Sequence, residues 1–238
     1  MTAPLPQKLT LHFNKMLRHY ARYNSVFSEI GRRLLIRCED LQLNPQKILD
    51  LGYGLGADTQ ALQARFPKAE IYGLDLAWQL PQKHPLLACG DAHALPFQTN
   101  SFDMIFINGP LYWSQTPQAL LKECHRVLAP QGSLLFTALG PDTFIELGNS
   151  AEPLPLQDLH LYGDWLVNSH FISPVMDREN LQLTYPTPWA QKREGYAFGL
   201  HFFKPEDKAT AQTTLSIELL YGYAVKPAIH QHAIQWQD

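Results

Sequence analysis

The sequence predicts an α/β fold built on a mostly parallel sheet with helices on both faces, and three observations carry that prediction. Short apolar runs alternate with segments of helical period between Lys47 and Thr137. The runs stop at glycine, aspartate or asparagine, as strands do where they turn into the next element. The first run passes through three closely spaced glycines straight into a helical segment. Alternation of this kind makes neighbouring strands parallel, because each crossover helix returns the chain to the same end of the sheet.

Taken in order, the elements begin with a helical segment. Between Leu9 and Leu41, apolar residues such as Phe13, Tyr20, Phe27, Ile30 and Leu34 recur at spacings of three and four, a helical pattern that Asn24 and Ser25 interrupt. After Asn44 and Pro45, the apolar run Lys47 to Leu51 is a buried first strand. Asp58 to Arg65 is a helix that closes near Pro67, and Glu70 to Asp75 is the second strand. Leu86 to Cys89 and Phe102 to Ile107 are the third and fourth. Gln118 to Leu128 is helical, Pro130 to Gly132 is a turn, and Ser133 to Thr137 is the fifth strand. Past Gly140 the regularity weakens, with a helix at Leu156 to Asn168 and strands at Leu181 to Tyr185, Tyr196 to Phe203 and Thr213 to Val225. These last pieces read as antiparallel edge strands. We expect one domain over 1–238, with a helical cap at 1–45, a cofactor-binding core at 46–140, and substrate-side elaboration and C-terminal strands at 141–238.

Composition excludes several function classes. With 45% hydrophobic and 17% charged residues, the chain can bury a substantial core. No apolar run approaches the roughly 18 residues needed to span a bilayer, and the first residues, MTAPLPQK, lack the apolar core of a secretory signal. A cytoplasmic protein without membrane association is the expectation. The net charge of −3 argues against a nucleic-acid partner. One stretch departs from that balance: Lys8, Lys15, Arg18, Arg22, Arg32, Arg33 and Arg37 face a single acid, Glu29. It suits either an acidic partner or a solvated helix face. Cys38, Cys89 and Cys124 are isolated and odd in number, so they read as buried thiols. The ten histidines are scattered, with His230 and His232 only a loose pair, and no metal site is expected.

The strongest local signal runs from Ile48 to Asp58 through Gly52, Gly54 and Gly56. Glycines allow a tight turn and close backbone approach, and the helix that follows offers free N–H groups to a polar ligand. Asp75, ending the second strand, is placed to accept both hydroxyls of a ribose. Gly52, Gly54 and Ala57 also satisfy a dinucleotide fingerprint, so this loop alone leaves NAD and other adenosyl cofactors open. Asp50 is either a loop anchor or a cofactor contact. Asp103 reads as a residue that caps structure.

Gly90-Asp91-Ala92 after the third strand, Phe102-Asp103 opening the fourth, and Arg126 to Gly132 before the fifth separate those readings. In order and spacing over 45–140 they resemble class I methyltransferases that use S-adenosyl-L-methionine. The resemblance implies a Rossmann-like, mostly parallel seven-stranded sheet with an antiparallel edge hairpin. By position it implies that Gly52, Gly54 and Gly56 pass beside the methionine moiety. Asp75 with Leu76 would hold the ribose, Asp91 and Ala92 would face the adenine, and Asn108 would lie near the sulfonium. Asp50 joins this implied cofactor set.

Further segments resemble one branch, the BioC-type malonyl-acyl-carrier-protein O-methyltransferases of biotin synthesis. They are Phe13-Asn14 with Tyr20, Asn108 with Trp113, Gly140-Pro141-Asp142-Thr143-Phe144, Pro174-Val175-Met176-Asp177, and Tyr221-Gly222 with Ala224, Lys226 and Pro227. This resemblance implies methyl transfer to the free carboxylate of malonyl on acyl carrier protein. A carboxylate is already ionised at neutral pH, so the reaction needs positioning and desolvation rather than a general base. Tyr20, Asn108, Tyr112 and Trp113 are the expected positioning residues, with Arg18, Arg22 and Arg178 as candidate anchors for the substrate anion.

The sequence departs from that branch at Tyr53, where a small cysteine is usual, and at Ala21, Phe27 and Tyr112. The segment between Tyr185 and Thr213 is also short. The phenol of Tyr53 must point away from the cofactor or crowd it. Two other readings therefore stand beside the first. One is a noncatalytic or repurposed paralogue in a binding or assembly role, as in the related complex I assembly factor that hydroxylates arginine. The other is a methyltransferase for another small carboxylate.

Overall fold

A computed structural model describes residues 25–77, 86–146, 156–187 and 214–228. The chain runs α1 (Ser25–Arg37), a 3-10 turn (Glu39–Leu41), β1 (Lys47–Leu51), α2 (Ala57–Arg65), β2 (Glu70–Asp75), β3 (Leu87–Cys89) and β4 (Phe102–Asn108). There follow α3 (Pro110–Trp113), α4 (Pro117–Val127), β5 (Leu128–Leu139), α5 (Leu159–Asn168), β6 (Ile172–Thr184) and β7 (Thr214–Val225).

The seven strands form one sheet in the order β3-β2-β1-β4-β5-β7-β6. The pairs β1–β2, β1–β4, β2–β3 and β4–β5 are parallel, and β7 runs antiparallel to both β5 and β6. The antiparallel hairpin expected at the edge is thus β6 and β7, with β7 against β5 and β6 outermost.

Burial on both faces explains why these strands are nearly continuous apolar runs. Alternate side chains leave opposite faces of a strand. Ile48, Met104 and Phe106 join Ile30, Leu34 and Leu62 beneath α1 and α2, while Leu49, Ile105 and Ile107 join Leu121, Val127 and Leu166 beneath α4 and α5. Asp103 accepts hydrogen bonds from the N–H groups of Gln46 and Lys47 at 2.8 and 2.9 Å, tying the start of β1 to β4. It is the capping residue its sequence position predicted.

The sequence reading is corrected in three places. The expected turn at Pro130 to Gly132 lies within β5: Gln131 adopts φ 65°, and the β4–β5 register shifts between Phe102 and Met104, so the chain bulges rather than reverses. The strand expected at Leu181 to Tyr185 is the end of the longer β6. Cys38 and Cys124 are buried thiols, but Cys89 is exposed, at the end of β3, a three-residue strand at the sheet edge. The helix expected before Asn24, the strand expected at Tyr196 to Phe203, and His230 with His232 lie outside the described residues.

Candidate active site

The glycine loop leaves β1 in backbone conformations that side chains resist. Gly52, Gly54 and Gly56 have φ of 84°, 50° and 84°. At Gly52 a Cβ would also lie 2.1 Å from the ring of Pro110, so the loop after β1 and the start of α3 meet at a distance only glycine permits. Gly56 is the N-cap of α2.

This turn opens a cavity of about 140 Å³ at the C-terminal ends of β1, β2 and β4. Its wall includes Gly52, Asp75, Leu76, Asp91, Ala92 and Asn108, six of the residues expected to contact the cofactor. Leu51, Leu74, Pro110 and Leu120 supply an apolar surround. Gly54, Gly56 and Asp50 do not line it. Gly54 stands behind Asp75, donating its N–H to Asp75 Oδ2 at 3.0 Å, while the Ala77 N–H holds Oδ1 at 2.8 Å. The carboxylate faces the cavity as an acceptor, the group a diol needs. Asp50 is almost fully buried and accepts the Thr59 hydroxyl at 2.5 Å, so it anchors the loop onto α2 from beneath.

Burial shifts the acids on and beneath the glycine loop. Burial raises the carboxyls of Asp50 and Asp75, and it lifts Asp58 to about 6 against a hydrogen bond from Asn108 that lowers it. No lysine or arginine is among the described residues lining the cavity. Asp75 and Asp91 are the acids on the cavity wall, and a positively charged ligand group meets them more favourably than a pyrophosphate does.

Asn108 holds the floor. Its Nδ2 donates to the Phe27 carbonyl at 2.9 Å and to Asp58 Oδ2 at 2.8 Å, and its Oδ1 accepts the Thr137 hydroxyl at 2.9 Å. Both amide protons are therefore committed to α1 and α2, and the residue acts first as a clasp between four elements. Gly31 makes the approach possible, since a Cβ there would sit 2.0 Å from Asp58 Oδ1.

The other expected positioning residues are not brought together in the described structure. Tyr112 is buried among Phe27, Phe144 and Tyr185 and does not line the cavity. Trp113 ends α3 with its side chain outside the described set, and Tyr20, Arg18 and Arg22 lie outside the described residues. Tyr53 resolves favourably: its ring packs on Gly73 with Ala77 and Leu87, away from the cavity.

Two wall residues were missed from the sequence, His93 and Ser114. The His93 imidazole lies 2.8 Å from Asp91 Oδ1 through Nδ1 and 2.7 Å from Ser114 Oγ through Nε2. His93 follows the Gly90-Asp91-Ala92 signature by one position, but Ser114 is brought to it only by the fold. Glu218 was missed as well. Buried on β7, it accepts the Asp142 N–H at 2.9 Å and pairs with Arg178 at 3.3 Å, while Thr143 Oγ1 brackets its backbone. A Cβ on Gly140 would lie 2.3 Å from Glu218 Oε2, which explains that glycine in the Gly-Pro-Asp-Thr segment. Arg178 is thus committed to Glu218.

The basic stretch is also partly committed within the molecule. Arg33 pairs with Glu179, and Arg37 pairs with Asp177 at 2.9 Å and with Glu179 at 3.2 Å while lying 3.5 Å above the Tyr221 ring. Arg32 pairs with Glu29.

Comparison with known proteins identifies the family. Residues 49–136 match the methyltransferase domain family. Solved structures share the fold at low identity. The YcgJ protein of Bacillus subtilis is 17% identical with a TM-score of 0.63, covering 82% of this chain and 98% of that one. The Haemonchus contortus phosphoethanolamine N-methyltransferase 2 in complex with S-adenosyl-L-methionine is 19% identical with a TM-score of 0.55, covering 83% and 52%. Sequence relatives are closer. The malonyl-[acyl-carrier protein] O-methyltransferase of Halorhodospira halophila is 34% identical over 79% of this chain and 69% of its own length. That of Legionella pneumophila is 37% identical over 74% and 67%. With this fold and these relatives, the chain belongs to the malonyl-[acyl-carrier protein] O-methyltransferase family and is a methyltransferase whose cofactor is S-adenosyl-L-methionine.

Proposed function

We propose that this chain methylates the free carboxylate of a malonyl group carried on acyl carrier protein, as a step of biotin synthesis in the cytoplasm. The observation that carries the reading is the 34–37% identity to enzymes of that name over about two thirds of their length. In this reading Asp75 and Leu76 hold the ribose, Asp91 and Ala92 face the adenine, and Gly52, Gly54 and Gly56 form the backbone beside the methionine part. Asp50 supports that backbone. Bound there, the cofactor supplies an electrophilic methyl group and its own positive charge.

The protein's task is then placement and water exclusion. Leu51, Leu74, Pro110 and Leu120 keep the cavity apolar around the reacting centre, which strengthens attraction between an acceptor carboxylate and a cationic cofactor. Asn108 fixes the floor, Tyr20 and Trp113 are the positioning residues that the family resemblance implies for the acceptor, and Tyr112 packs in the core behind them. No side chain need move a proton, because the acceptor arrives ionised. With Arg178 bonded to Glu218, the acceptor anchor in this reading falls to Arg18 or Arg22.

The test is direct. Purified protein with the cofactor and malonyl-acyl carrier protein should add the mass of one methylene to the carrier-bound substrate, and Asp75→Ala should abolish the gain. Turnover of free malonate at the same efficiency, with no preference for the carrier, would instead favour a small-carboxylate methyltransferase.

A further inference from the structure

We infer that His93 and Ser114 form a positioning relay that orients the Asp91 carboxylate and thereby sets the preference for adenine as the cofactor base. The inference rests on the placement of adenine against Asp91 proposed above.

The hydrogen bonds form one continuous chain. Asp91 Oδ1 accepts the backbone N–H of His93 at 2.9 Å and lies 2.8 Å from its Nδ1. The Asp91 carboxyl is held below the usual carboxylate range: burial pushes it up, but these bonds from His93 outweigh burial. An ionised carboxylate accepts only, so Nδ1 carries a proton and donates to it. On the other side of the ring, Nε2 lies 2.7 Å from the Ser114 hydroxyl. Ser114 Oγ in turn accepts the Thr116 N–H at 3.1 Å. Its far end is the buried Ser114, just after α3, tied to the Thr116 backbone N–H.

The consequence falls on Asp91. Oδ1 is occupied twice, while Oδ2 carries no hydrogen bond among the described residues, and Asp91, His93 and Ser114 all line the cavity. A carboxylate so held presents one acceptor in one orientation. It matches the exocyclic amine of adenine and opposes the carbonyl that hypoxanthine carries at that position. Without the relay the carboxylate can rotate, and the discrimination weakens.

Calorimetry with S-adenosylhomocysteine and S-inosylhomocysteine tests this without turnover. Wild type should prefer the adenosyl compound, and His93→Ala and Ser114→Ala should each cut that preference about tenfold, the effect of one charge-assisted hydrogen bond. Binding of the inosyl compound should change little. The double variant should lose no more than either single one, because the chain acts as a unit. His93→Asn, which retains a donor near Nδ1, should recover part of the preference. If both compounds weaken alike in the single variants, or the preference survives them, the relay is overturned. Equal binding of both compounds by wild type would overturn the adenine placement itself, and the relay with it.

Discussion

At the β1–β4 end of the sheet, Asp75 and Asp91 retain acceptor capacity beside a cavity. At the β6–β7 end, Arg33, Arg37 and Arg178 are each closed against Glu179, Asp177 or Glu218. The first region holds acids with no lysine or arginine on the cavity wall among the described residues. The second holds cations and acids in mutual contact, with Tyr221 donating to Glu179 at 2.8 Å. Charge at the first end is available to a ligand, while charge at the second fastens α1 onto the outer strands. Charged side chains at a surface therefore do not identify a partner surface until their internal contacts are known.

The comparison breaks most severely at the glycine loop. Gly52→Ala forces a left-handed backbone on a side chain and drives its Cβ into Pro110, and should destabilise the fold by about 3 kcal/mol or more, seen as a lowered urea midpoint. Asp75→Asn turns an amide NH2 toward at least one backbone N–H donor and removes the charge. S-adenosylhomocysteine affinity should fall by roughly ten- to a hundredfold in calorimetry. An unchanged affinity would place the ribose elsewhere.

Asp58 sharpens the comparison through pH. Its carboxyl is raised by burial to about 6, above its unfolded value, so the stabilisation it gives is fully present below about pH 4 and is lost as pH rises through about 6. Asp58→Asn keeps an acceptor for Asn108 and should reduce the loss of urea midpoint between those values. Asp50, shifted the same way, preserves the remaining slope. A variant with the wild-type slope would show that Asp58 is ionised throughout. The smallest effect belongs to the far end: Glu179→Gln loosens Arg33, Arg37 and Tyr221 at a half-exposed site and should lower stability by about 1 kcal/mol after screening, with cofactor affinity unchanged.

The central strands were legible because each is apolar and ends in a turn residue, as at Asp50 to Gly54 and Ile107 to Gly109. β6 was underestimated because it lies at the edge: its side chains are mostly exposed, so Ile172 to Asn180 carries no apolar pattern to read. In the site, Asp75 and Asp91 could be found because they directly end or follow strands. The roles of Asp58 and Glu218, and the link from His93 to Ser114, depend on groups 21 to 76 residues apart that only the sheet brings together. The basic run near α1 left an acidic partner and a solvated face both open, because Asp177 and Glu179, which pair with Arg33 and Arg37, stand about 140 residues away in the chain.

The most direct measurement is a crystal structure of the protein with S-adenosylhomocysteine. It should place the ribose hydroxyls at about 2.7–3.2 Å from the Asp75 carboxylate, with the adenine amine on Asp91. An adenosyl group bound away from Asp75, or a base turned from Asp91, would contradict the account.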